Sequence, residues 1–248
     1  MIINIIGKPG TGKSTLMVNL ACSLAKKGRK VALMTADLSY QSIQYYFGNT
    51  KIETEQSLGL MFQKKDFLKP EKYFIKVQGY GNIYVAGIST GESSLRYDAP
   101  EKEDIIMFLE ESKNNFDCIF IENPENIRNG LTFLSLMKSA AIFDVVDISI
   151  QGISYKLSTE DILKSININK RIYRILSASK NIENIKNAEK ILKFKFDYQI
   201  PYCNISDDCA NSGIPIIYTA AGEGRIKFIN FIDRLTNEIE REVLKIGQ

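Results

Sequence analysis

Histidine is absent from all 248 residues. That removes the usual general base at neutral pH and a common zinc ligand. The four cysteines, Cys22, Cys118, Cys203 and Cys209, show no C-x-x-C spacing. Without histidine to complete a ligand set, they argue against a zinc site. Cys22 and Cys118 fall in apolar helix and strand patterns, where buried, reduced thiols are expected, as in cytoplasm. No apolar run approaches the ~18 residues that a spanning helix requires. The N-terminus enters directly into a strand pattern, so no signal peptide is expected. Net charge is only +3, and no run of lysine or arginine forms a basic arm, so neither nucleic acid nor an anionic membrane is indicated. There is no proline- or glycine-rich linker and no internal repeat. The expectation is a single domain over 1–248.

What the chain does have is Gly7–Thr15, GKPGTGKST. The apolar run Ile2–Ile6 precedes it, and a helical pattern of Leu16, Leu20 and Leu24 with Ala21 and Ala25 follows. Strand, glycine turn and helix start are the context that a phosphate-binding loop needs, and G-x(4)-G-K-[ST] is met by Gly7, Gly12, Lys13 and Ser14. Glycines let successive N–H groups point at one anion, and the helix N-terminus adds partial positive charge. Lys13 would reach the outer phosphates, and the Ser14 hydroxyl would sit on Mg²⁺. A nucleotide-binding chain is the expectation.

Strand and helix patterns alternate from there. A helix over Lys13–Lys27 is stopped by Gly28, and a strand over Lys30–Thr35 leads to Asp37. Leu38–Phe47 reads as a short helix with Ser39, Gln41, Ser42 and Gln44 as its polar positions, and Gln56–Lys65 as a helix weakened by Gly59. Strands are predicted at Asn82–Ile88, Asp117–Glu122, Asp144–Ile150, Lys170–Ser177 and Phe196–Ile200. Helices are predicted from Pro100 to about Asn114, and at Gly130–Ala141, Thr159–Ile166, Ile185–Lys193 and Ile205–Asn211. The last segment places Phe228, Ile232, Leu235, Ile239, Val243 and Ile246 at helical spacing. Its balanced charges, five basic and five acidic over Glu223–Lys245, favour docking on the core over lying on a membrane. The alternation predicts an α/β fold, a mostly parallel sheet flanked by helices.

In such a sheet, ligands bind at the carboxyl ends of the strands. Asp37 and Glu122-Asn123-Pro124 stand at two of those ends. A carboxylate near Mg²⁺ can hold the metal's waters or orient an attacking water, so Asp37 and Glu122 join Ser14 as candidate metal-site residues.

Lys8 directly after Gly7, then Gly10, Gly12 and Lys13, resembles the deviant Walker A motif of the ParA/MinD ATPases. The similarity continues through Ser14-Thr15, Asn19-Leu20-Ala21, Leu24-Ala25, Gly28, Val31 and Asp37, then Phe116-Asp117 with Glu122-Asn123-Pro124, Ile200-Pro201, and Ala210-Asn211 with Gly213 and Pro215. It covers essentially the whole chain, least well over Gly48–Gly81. The resemblance implies a three-layer P-loop NTPase fold with an eight-stranded sheet, and an ATP-bound homodimer with Mg²⁺. It makes Lys8 a signature lysine reaching the partner's nucleotide, Asp37 the residue that orients water, and Glu122 the Walker B carboxylate. Gly7, Gly10, Thr11, Gly12, Lys13, Ser14, Thr15 and Pro201 become the nucleotide contacts. It also implies a cytoplasmic switch that positions a cargo with the help of a protein partner. The absence of a DNA-binding arm or a basic terminal helix points toward the CpaE/TadZ-like, pilus-localising branch, with any approach to the inner membrane coming through a partner.

The chain departs from that pattern at Pro9, where the family has glycine, and at Glu122, where it has aspartate. Ser177-Ala178-Ser179 stands near the place of the family's Asn-Arg beside the base. Slow hydrolysis is the expectation. Two other readings share the loop: a small-molecule kinase, which needs an arginine-rich lid although Arg96, Arg128, Arg171 and Arg174 are scattered, and a scaffold that binds nucleotide without hydrolysing it. An iron–sulfur relative would need two exposed cysteines, and Cys118 lies inside a strand pattern.

Overall fold

A computed structural model describes residues 1–40, 43–48, 50–127, 129–166, 171–178 and 183–244. The chain runs through β1 (Ile2–Ile6), α1 (Lys13–Lys26), β2 (Val31–Thr35), α2 (Leu58–Lys64), β3 (Ile75–Lys76), β4 (Ile83–Ala86), α3 (Lys102–Asn115) and β5 (Cys118–Glu122). It continues with α4 (Gly130–Lys138), β6 (Ala141–Val146), α5 (Ile150–Ser165), β7 (Arg171–Leu176), α6 (Glu183–Leu192), β8 (Tyr198–Gln199), α7 (Ser206–Ser212) and α8 (Arg225–Glu238). The strands form one eight-stranded sheet in the order β3-β4-β2-β5-β1-β6-β7-β8. Every pairing is parallel except that of β3 with β4.

β1 shows why the sheet has helices on both faces. All five of its residues are buried, as expected of a central parallel strand. Ile3 and Ile5 pack into the core shared with α1 and α8. Ile2 packs with α3 and α4, and Ile6 with α4 and α5. The period-2 alternation of the strand thus serves two helical layers. Phe228, Ile232, Leu235 and Ile239 of the terminal segment are buried, so this stripe docks on the core; α8 passes into a π-helical turn at Ile239–Leu244, and Ile246 lies outside the described residues. All four cysteines are buried and free.

Local signals set most boundaries. α1 ends where Gly28 takes φ +85°, and the Gly28 and Arg29 N–H groups return to the Ala25 and Leu24 carbonyls. Asn129 caps α4 by accepting from the Leu131 and Thr132 N–H groups.

Three expectations are corrected. The strand predicted at Asp144–Ile150 is β6, Ala141–Val146, and the helix predicted to begin at Thr159 begins at Ile150. Asp144 reads as a strand boundary because it is charged, yet it is buried mid-strand, paired with Lys156 at 2.6 Å and with Arg174. Ser149 caps α5 by accepting from Gly152 N–H at 3.1 Å, which ends any strand before Ile150. The helix predicted over Leu38–Phe47 is a 3₁₀ turn at Ile43–Phe47. Asp37 accepts from Ser39 N–H at 2.8 Å, a local turn that competes with helix. Gln41 and Ser42 lie outside the described residues, as do Lys170 and Arg128. The edge strand β3 carries no readable pattern, being only two residues long.

Candidate functional site

The order of the sheet reverses around β1, which lies between β5 and β6, so a crevice opens at the carboxyl ends of these strands. The loop that follows β1 fills its floor. Gly7, Gly10 and Gly12 take φ of +145°, +78° and +89°. A Cβ on Gly7 would lie 2.3 Å from the Val145 carbonyl oxygen, so only glycine lets the loop pass β6. Lys13 Nζ donates to the carbonyls of Gly7 at 2.9 Å and Lys8 at 3.2 Å, and Thr11 Oγ1 donates to Lys8 O at 2.9 Å. The loop is thereby closed by its own lysine, with its amides left for an anion. Just past the end of β7, Ser177 Oγ donates to Thr11 O at 2.9 Å, bracing the loop from the far side.

Glu122 ends β5 in register with Thr35 of β2 and Ile5 of β1. Its Oε1 accepts from Ser14 Oγ at 2.8 Å, and its Oε2 is buried with no hydrogen-bond partner. Burial pushes this carboxyl above the ordinary range, with Asp37 adding to the shift and Lys13 and Ser14 opposing it. Lys13 is lowered by burial and supported by the charges of Glu122 and Glu125. Each of these two groups therefore lessens the cost of burying the other.

Beneath them, Asn123 Nδ2 donates to Asn4 Oδ1 at 2.7 Å, and Ser135 Oγ donates to the same oxygen at 2.9 Å. These buried bonds hold the turn after Glu122. Asp37 lies in the same cleft of about 380 Å³ with Pro9, Tyr40 and Asn126, its N–H donating to Thr35 Oγ1 at 3.1 Å.

These residues fit a Mg²⁺–nucleotide. A carboxylate oxygen is buried and unpartnered beside the Ser14 hydroxyl, and the loop glycines leave the backbone free to curl around phosphate. Among the described residues there is no group of three or more metal-ligating side chains, so a cation here would take phosphate oxygens and waters as its other ligands, as Mg²⁺ commonly does.

The predicted contacts divide between two lobes. Gly10, Lys13, Ser14, Asp37 and Glu122 line the first. Gly10, Thr11, Gly12, Thr15 and Pro201 line a second of about 180 Å³, together with Ser177, Ala178, Cys203 and Asp207; Ser179 lies outside the described residues. Lys8 lines neither. Its Nζ is 3.9 Å from Asp147 Oδ2 at the surface, a contact loose enough to release the side chain at little cost.

Sequence reasoning missed Asn4, although an asparagine inside the apolar run Ile2–Ile6 was a readable signal of a buried polar contact.

Glu122→Gln keeps the shape and the Ser14 bond but removes the charge. Its expected effect is a loss of about tenfold in Mg²⁺-dependent nucleotide affinity, with nucleotide binding in EDTA little changed. Calorimetric titration with and without Mg²⁺ measures this, and equal affinity in Mg²⁺ for the variant and the wild type would remove Glu122 from the metal site.

Residues 1–190 match the ParA family, described as NUBPL iron-transfer P-loop NTPase. The septum site-determining protein MinD of Thermotoga maritima is 27% identical over 130 residues, 52% of this chain and 46% of that protein. The antiactivator FleN of Pseudomonas aeruginosa is 25% identical over 135 residues, 54% of this chain and 45% of that one. The matched stretch thus spans about half the length of these relatives. In fold, the chain is similar to the septum site-determining protein MinD complexed with Mg-ADP from Pyrococcus horikoshii, with a TM-score of 0.76 at 21% identity over 97% of this chain and 96% of that one.

Proposed function

This chain belongs to the ParA family of P-loop NTPases, and from that premise we propose that it is an ATP- and Mg²⁺-dependent switch that dimerises, hydrolyses slowly and positions a cellular cargo through a protein partner. The observation that carries the reading is the convergence of Lys13, Ser14 and Glu122 at the carboxyl ends of β1 and β5. In this reading the loop amides and Lys13 hold the phosphates, and Ser14 and Glu122 hold the cation and its waters. Mg²⁺, when bound, neutralises phosphate charge. Asp37 accepts a hydrogen bond from the attacking water and orients it. Lys8, at the rim beside Asp147, is placed to leave its own loop and stabilise charge on a nucleotide held by a second copy, which makes turnover depend on dimerisation. The relatives' titles, septum site-determining protein and antiactivator, support a positioning or regulatory role over small-molecule phosphorylation.

Lys8→Ala tests the reading. Nucleotide affinity is expected to stay within about threefold of the wild type, while phosphate release falls by about a hundredfold. Light scattering should show a larger species in ATP with Mg²⁺. If Lys8→Ala hydrolyses ATP as fast as the wild type, the signature-lysine role is wrong. If the wild type binds and dimerises yet releases no phosphate, the non-hydrolysing scaffold takes its place.

The family's description raises iron transfer as a second reading. All four cysteines of the chain are buried, which leaves no surface thiolate pair to hold iron, and burial raises the Cys118 thiol to about 12. That chemistry disfavours it. No helix among the described residues is long and apolar enough to cross a membrane.

A further inference from the structure

Successive residues of a strand point to opposite faces of the sheet, and the end of β5 uses both. Glu122 reaches the α1 side, where its Oε1 accepts from Ser14 Oγ at 2.8 Å. Asn123 reaches the α4 side and is buried. Its Nδ2 faces three oxygens: Asn4 Oδ1 at 2.7 Å, Ile121 O at 3.3 Å and Ile5 O at 3.4 Å. Only the donor end of an amide suits that place, so the orientation of both asparagines is determined. Asn4 stands on β1 in register with Ile121 of β5 and Ile142 of β6, and its oxygen also accepts from Ser135 Oγ on α4 at 2.9 Å. The main chain completes the grip. Asn123 N–H donates to Ile5 O at 2.9 Å, and Ala36 N–H donates to Glu122 O at 2.8 Å.

Stability does not account for the two amides. Asn4 Nδ2 and Asn123 Oδ1 are buried without a hydrogen-bond partner among the described residues. An unsatisfied buried polar atom weakens a fold, whereas replacing both members of a pair by apolar groups of similar shape is close to neutral or stabilising. β1 itself shows what would suit position 4, since Ile2, Ile3, Ile5 and Ile6 are all buried around it. What the amides add is direction. They fix the peptide that carries Glu122 from the face opposite to the one its carboxylate uses.

Resting on the Mg²⁺–nucleotide reading of this site, we propose that Asn4 and Asn123 are positioning residues for Glu122, holding its carboxylate beside Ser14 for the cation and its waters. Asn4 acts through Asn123, and Asn123 through the peptide of Glu122, in the way that outer groups orient a metal's ligands.

The test is calorimetric titration of ATP in Mg²⁺ and in EDTA for the wild type, Asn4→Val, and the double variant Asn4→Val with Asn123→Val, with the melting temperature of each nucleotide-free protein. The double variant strands no polar group, because Ser135 Oγ still has Thr132 O at 2.9 Å. It is expected to melt at or above the wild-type temperature and to lose about three- to tenfold of affinity in Mg²⁺, with a smaller loss in EDTA. Asn4→Val alone leaves Asn123 its two longer bonds and should show a smaller loss of the same kind. In a Glu122→Gln background the double replacement should cost little more, because the carboxylate to be aimed is gone.

Wild-type affinity in Mg²⁺ for the folded double variant overturns the assignment. So does an equal loss in both conditions, or a loss undiminished in the Glu122→Gln background. A double variant that melts clearly below the wild type, or fails to fold, overturns it too, since the pair would then serve stability alone. If the wild type itself fails to bind ATP, the nucleotide reading falls and this one with it, an outcome distinct from binding that ignores the pair.

Discussion

Lys13→Ala raises the dissociation constant for Mg-ATP by about a thousandfold, the scale of two or more lost charge-assisted hydrogen bonds. The Lys13 ammonium is buried, with a relative exposure of 7%. It is tied to two loop carbonyls and faces the charge of Glu122. Truncation therefore does more than remove a phosphate contact. The Gly7 and Lys8 carbonyls lose their donor, the loop loses the bonds that hold it closed, and the buried Glu122 carboxylate loses the cation that offsets its desolvation. The nucleotide-free protein should still fold, because the sheet and its helices do not depend on the loop. Calorimetry against ATP in Mg²⁺ measures the effect, and a loss of less than tenfold would show that this lysine is not the main phosphate ligand.

A second large effect lies outside the cleft. Asp144→Ala is expected to destabilise the fold by about 3–5 kcal/mol, the cost of stranding buried charges. Asp144 sits on β6 in register with Arg174 on β7, and α5 lays Lys156 and Glu160 over both. Lys156 Nζ is 2.6 Å from Asp144 Oδ2 and 2.6 Å from Glu160 Oε2, while Arg174 Nη2 is 2.9 Å from Glu160 Oε1. Removing Asp144 leaves two cations beside one carboxylate in the interior.

Urea denaturation reads the difference. Replacing Asp144 and Lys156 together by leucine and methionine should recover much of it, since well-packed apolar groups substitute for a buried pair without stranding a charge. A single variant within about 1 kcal/mol of the wild type would show that the cluster is dispensable.

The same cluster sets an acid limit. Desolvation works to raise the Glu160 carboxyl, but Lys156 and Arg174 outweigh it and hold the group below its ordinary value. A carboxylate lowered in the folded state contributes stability above its unfolded pKa and loses it as the pH falls through the folded one. Unfolding linked to Glu160 therefore begins below about pH 4.

Asp144 also shows where sequence reasoning went astray. A charge inside an apolar run reads as the end of a strand, because burying it alone costs several kcal/mol. Its partners stand 12 and 30 positions further along the chain at Lys156 and Arg174, and no local pattern links them. The strand was therefore placed three residues late, and the start of α5 was missed.

What the sequence determined by itself was everything that depends on near neighbours: the loop Gly7–Thr15, the strand before it, the helix after it, and the alternation that makes a parallel sheet with helices on both faces. These follow from φ freedom at glycine, from capping and from the periods of 2 and 3.6 residues, all of them local. Which strand ends meet was decided only by the tertiary structure. The order β2-β5-β1-β6 brings Asp37, Glu122, Ser14 and Lys13 into one cleft, with Asn4 holding the turn after Glu122 from below. That arrangement is a balance of burial and paired charge over distances that no window along the chain can span.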